Sequence, residues 1–199
     1  MKLLGHDKVV IRFISLYILG LVLFFISWTL TYFLVPEGVL REFGFFTELA
    51  GDTAADTLGL ETMKIFGINF IGMLLIVGGN YILRVKSFSY GYLVALAWMI
   101  MYGAILGTNS FAIPLKETMA PTIAVFSRSG LYEMMAGVLL AVATDSISIN
   151  KSESFFSNSK PVPKNKRTPI KKDQWIAIGI SILLLFGSAL REAYMIVNL

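Results

Sequence analysis

The chain has 199 residues, 56% of them apolar, with a mean hydropathy of +0.71 and a net charge of +4. A composition this apolar places most of its length in lipid and leaves too little for a separate soluble domain. Cysteine is absent, which excludes disulfides, thiolate nucleophiles and thiolate metal sites.

Residues 13–36, 65–83 and 87–115 contain no Asp, Glu, Lys or Arg, and residues 130–149 and 174–199 contain two each. A helix crossing the ~30 Å hydrocarbon layer needs about 20 mostly apolar residues, so five stretches are long enough. The runs are continuous and do not alternate with period two, which selects helices over a barrel. The expected fold is all-α, a single membrane domain over residues 1–199 with about five spans, near 13–35, 65–83, 90–112, 130–149 and 174–197.

The first span follows Lys2, Lys8 and Arg12 and runs to Val35 before Pro36-Glu37-Gly38. A signal peptide's apolar core is only about 7–15 residues, so this stretch reads as an uncleaved anchor. The loop 36–64 sets Phe43, Phe45, Phe46, Leu49, Leu58 and Leu60 among acids. That mixture suits a helix lying flat at the outer interface, or a solvated loop anchored by its rings. In the second span Asn69 stands one turn from the outside and Asn80 near the inside, with Arg84 and Lys86 beyond.

The third span carries Gly103 and Gly107 and closes on Thr108 and Asn109. Small residues mark places where membrane helices approach closely, and Gly72, Gly103, Gly107 and Gly130 are the candidates. Pro114, Lys116, Glu117 and Pro121 argue against a full crossing over 108–128, but 119–126 fits a short interfacial or re-entrant piece. Starting the fourth span at residue 120 would bury Arg128, so a start at Gly130 is preferred. Asp145, followed by Ser146 and Ser148, lies near the inner surface or is emerging into water.

Residues 150–173 are rich in Ser, Asn, Lys and Pro, a composition that predicts a disordered loop. Its seven cations fix topology or touch anionic head groups. Twelve of the 17 basic residues lie before the first span, between the second and third, or between the fourth and fifth. Positive-inside therefore places the N-terminus in the cytoplasm and the C-terminus outside.

A charge held at mid-membrane costs about 2.5–3.5 kcal/mol, so one that persists there faces protein, water or a counter-charge. The topology brings Asn69, Asn109, Arg128, Glu133, Arg191 and Glu192 to one depth in the outer half. Glu133 and Arg191 form the expected ion pair, with Arg128 as competitor. Asn80 and Asp145 form a second, inner polar layer. The lone His6 precedes the first span, away from these acids, so neither a histidine base nor a histidine metal site assembles. No cofactor, metal or enzymatic chemistry is expected.

Ser129-Gly130-Leu131-Tyr132-Glu133 ahead of apolar and small residues, Ile65-Phe66-Gly67-Ile68-Asn69, Met101-Tyr102-Gly103-Ala104-Ile105-Leu106-Gly107 and Ala189-Leu190-Arg191-Glu192 together resemble the stage II sporulation protein M family of bacteria and archaea. Serine stands at 129 where that family has histidine, and tyrosine at 102 where it has asparagine. The resemblance implies a multi-pass protein of the cell envelope that acts as a membrane scaffold with cell-wall remodelling partners. The first functional expectation is therefore a non-catalytic interaction subunit of the cell membrane. The second is a small oligomeric carrier or channel subunit lined by Glu133, Arg191 and Glu192. The partners implied are the lipid bilayer, further copies of the chain and other envelope proteins, and not nucleic acid.

Overall fold

The computed structural model describes residues 3–41, 51, 53–126, 130–154 and 157–197. Its helices are α1 (Val9–Leu34), α2 (Leu58–Ile82), α3 (Tyr90–Gly107), α4 (Ile123–Phe126), α5 (Gly130–Ala143) and α6 (Lys172–Val197). Four of them, α1, α2, α3 and α6, are long and apolar enough to cross a membrane. The fourth expected span is shorter: α5 has 14 residues, about 21 Å of rise, and ends at Ala143 where a turn begins at Asp145.

Local chemistry accounts for the shifted boundaries. α2 starts seven residues before the expected 65, because Thr57 accepts a hydrogen bond from the Leu60 amide and Glu61 supplies an acid to the first turn. The tail of the expected loop 36–64 is thus helical. α3 stops at Gly107 instead of reaching 112, since Asn109 takes φ +48, a left-handed conformation that asparagine tolerates. The aromatic group Phe43, Phe45, Phe46 and Leu49 lies outside the described residues. The expected re-entrant piece contains α4, whose Phe126 is buried against Phe24 at 4.9 Å between ring centroids.

The segment expected to be disordered carries β3 (Asn150–Ser152), β4 (Lys160–Pro161) and a 3-10 turn (Lys164–Lys166). With β1 (Arg84–Val85) and β2 (Phe88–Ser89) they form a four-stranded sheet in the order β2-β1-β3-β4, with β1 parallel to β3 and the other pairs antiparallel. A composition argument weighs only apolar burial; here backbone pairing orders the chain, through Lys86 N–H to Ser152 O (2.9 Å), Ile149 N–H to Tyr81 O (2.8 Å) and Val162 N–H to Ile149 O (2.7 Å).

The sheet caps one end of the helices, where α1, α3 and α6 begin and α2 and α5 finish. α3 is the central helix, with 44% of its apolar window buried against 22–33% for the other long helices. It packs on α1 through Gly103, where a Cβ would lie 2.5 Å from Phe24 O, and through Gly107, under Trp28 and Thr31. Gly72 and Gly137 accept the Trp98 ring, and Gly130 sits under Tyr102. Gly67, Gly179 and Gly187 face open space. Leu16, Phe24, Trp28, Ile76, Tyr92 and Met99 form the core, beside a smaller cluster of Met73, Ala136, Leu140 and Leu185. Outward, α1 exposes Val10, Ile14, Ile18, Val22, Ile26 and Leu30, and α6 exposes Ile176, Ile180, Leu183, Phe186 and Leu190.

Candidate functional site

The densest polar constellation lies at the sheet end and centres on Asp145, just past α5. Arg12 reaches it from α1, with Nη2 3.3 Å from Oδ1, and Arg84 from β1, with Nη2 3.6 Å from Oδ2. The Tyr92 hydroxyl of α3 donates to Oδ2 at 3.3 Å, and Gln174 Nε2 of α6 donates to Oδ1 at 3.4 Å. Four elements therefore meet on one carboxylate. Arg12 also donates to Val142 O (3.1 Å) and to His6 O (2.7 Å), binding the segment before α1 to the same point. Its side chain is 9% exposed and that of Asp145 4%, so the pair is screened from water.

Asn80 lies beside this group and bridges three elements. Its Nδ2 donates to Ala141 O and Thr144 Oγ1, both at 2.7 Å, while its Oδ1 accepts from Gly91 N–H at 3.0 Å. A side chain at residue 91 would collide with that same Oδ1 and with Ile76 O, so only glycine lets α3 start this close to α2. Asn80 and Asp145, expected as an inner polar layer, both lie at the sheet end, together with Arg12, Arg84, Tyr92 and Gln174. Arg12, Arg84, Tyr92 and Gln174 were not among the expected site residues. Arg12 carried a signal: it stands between Val9-Val10-Ile11 and Phe13-Ile14, an embedded cation that needed a counter-charge.

At the opposite end Asn109 has a comparable bracing role. Its Nδ2 donates to Glu37 Oε1 (2.6 Å) and Leu115 O (2.9 Å), its Oδ1 accepts from Leu115 N–H (2.9 Å), and its carbonyl accepts from Arg41 Nη2 (2.9 Å). Gly38 N–H to Thr108 O (2.6 Å) and Leu40 N–H to Ser110 Oγ (3.1 Å) complete the clasp between the chain after α1 and the chain after α3.

The expected outer cluster does not assemble as one group. Asn109 belongs to this clasp, Asn69 is half-buried on α2, and Arg128 lies outside the described residues. Glu133 and Arg191 form no ion pair. Successive residues on a helix are turned by about 100°, so with Glu192 turned inward Arg191 faces outward, its guanidinium 5.7 Å from the Tyr132 ring centroid. Buried Glu133 instead has another acid, Glu192, as its electrostatic neighbour, and Glu192 in turn has Glu61. Glu61 is held by Ala55 N–H at 2.6 Å, with Lys64 Nζ 3.9 Å away.

Among the described residues no group of His, Cys, Asp or Glu is arranged to hold a metal ion. No protein-family model, no curated protein and no solved structure matches the chain.

Proposed function

We propose that this is a multi-pass protein of the cell membrane, with its N-terminus in the cytoplasm and its C-terminus outside, serving as a non-catalytic scaffold or interaction subunit of the cell envelope. The observation that carries this reading is how the polar side chains are used. At the sheet end Asp145 ties α1, β1, α3 and α6 together, and at the other end Asn109 ties two loops together. Groups satisfied this way brace a frame, while the apolar outward faces of α1 and α6 suit acyl chains or neighbouring apolar helices. The layout is in keeping with the scaffold role that the resemblance to the stage II sporulation protein M family implies. The basic residues of β1, β3 and the 160–172 segment gather at the sheet end, which supports that end as cytoplasmic.

A carrier or channel subunit is the second reading, favoured by the three acids Glu61, Glu133 and Glu192 succeeding one another between α2, α5 and α6. Glu133→Gln separates the two. For a scaffold, an amide of the same shape at this buried position leaves the fold intact, and proteoliposomes of either form carry no ion flux. Flux by the unaltered chain that disappears in a stably folded Glu133→Gln protein would replace the scaffold reading with the transport one.

A further inference from the structure

A groove of about 390 Å³ opens sideways between the first turns of α1 and α6, at the sheet end. Its volume falls in the ~300–1,000 Å³ range of small-molecule sites. Its lining is almost wholly apolar, with Phe13, Leu139 and Ala177 in its wall, and the charged residues at its edge are Lys8, the residue before α1, and Asp173, in the first turn of α6. Lys8 and Asp173 are both exposed and form no ion pair with each other. The walls continue into the outward apolar faces of both helices through Val10, Ile176 and Ile180.

We propose that this groove binds one membrane phospholipid with a primary ammonium beside its phosphate, a phosphatidylethanolamine, with the phosphate on Lys8, the ammonium on Asp173 and an acyl chain over Ala177. The proposal rests on the reading that the helices lie in a bilayer. Charge complementarity selects the occupant. The groove's edge carries one cation and one anion, which match a zwitterion; an anionic head group would also find Lys171 and Lys172 beside Asp173, but it brings no ammonium to the Asp173 carboxylate. A choline head carries the same charges but no N–H, so it cannot donate a hydrogen bond to the carboxylate. Asp173 sits in the first turn of α6, where the helix dipole favours a negative charge. Trp175, 60% exposed one residue from the wall, is the kind of side chain that settles at head-group depth.

The test is reconstitution of the whole chain into nanodiscs holding equal parts of phosphatidylethanolamine, phosphatidylcholine and phosphatidylglycerol with identical acyl chains. Transfer to mild detergent and native mass spectrometry then identify the retained lipid. One phosphatidylethanolamine per chain is expected, favoured about tenfold over either competitor, the scale of one charge-assisted hydrogen bond. Asp173→Asn should remove the preference over phosphatidylcholine, and Lys8→Gln should lower retention of all three. Ala177→Phe fills the apolar part and should abolish retention. The surface changes at 8 and 173 keep the test decisive if Ala177→Phe impairs folding. Equal retention of the three lipids, preference for phosphatidylglycerol, or a preference that survives Asp173→Asn would overturn the proposal. A chain that enters nanodiscs but retains no lipid sinks this site alone, whereas a chain that cannot enter them sinks the bilayer reading as well.

Discussion

Replacing Asp145 by asparagine keeps the shape of the side chain and removes its charge, leaving Arg12 buried without a counter-ion. Breaking a buried pair by deleting one partner costs about 3–5 kcal/mol, because the remaining charge stays desolvated. Arg84 is different: its side chain is 22% exposed, and Arg84→Gln should cost about 1 kcal/mol or less. Thermal unfolding in detergent should therefore rank Asp145→Asn well below Arg84→Gln, and equal losses would show that Asp145 does not unite these elements. The importance of Asp145 was hard to read from the sequence because its partners stand 133, 61, 53 and 29 residues away, and the Ser146 and Ser148 beside it imitate a helix leaving the membrane. The expected Glu133–Arg191 pair failed for a local reason. Depth matching locates a residue along the membrane normal but says nothing of its direction around the helix axis, and one position separates an inward Glu192 from an outward Arg191.

At the scale of elements, helix contacts divide the glycines into two kinds. A methyl group on Gly103 would press on Phe24 O and the Trp28 amide, both backbone atoms that cannot turn aside. Gly103→Ala should push α1 from α3 and cost about 1–3 kcal/mol, as overpacking does. Gly179, with nothing within 4 Å, gives the control: Gly179→Ala should be neutral, or stabilise α6 by up to about 1 kcal/mol through helix propensity. Unfolding midpoints of the two variants check this, and a tolerated Gly103→Ala would mean that α1 and α3 are farther apart than described. The long helices themselves were legible, since α1, α2, α3 and α6 coincide with apolar runs whose length alone announces them. Their ends were less so, because Thr57 and Asn109 set them by single hydrogen bonds and dihedral angles that a hydropathy pattern does not register. The sheet was illegible for a related reason: β1, β2 and β4 are two residues long, too short for any alternating pattern.

For the molecule as a whole, the geometry places the start of α1 and the end of α6 at opposite ends without reference to a membrane. The segment before α1 is tied to the sheet end through His6 and Arg12, while α6 starts there at Lys172 and its 26 residues carry the chain about 39 Å away. The proposed orientation rests on the charge distribution, because lysines gathered at the sheet end favour the cytoplasmic side. Two exposed positions report on the two ends, Ser159 between β3 and β4, and Glu117 in the loop between α3 and α4. The native chain has no cysteine, so Ser159→Cys and Glu117→Cys each give a single reactive thiol. An impermeant maleimide applied to intact cells should label Glu117→Cys and reach Ser159→Cys only after lysis. The reverse pattern would invert the orientation and keep the bundle. Labelling of both from outside would break the link between end and side, since helices that truly cross the bilayer cannot present both ends of the bundle to the same solvent.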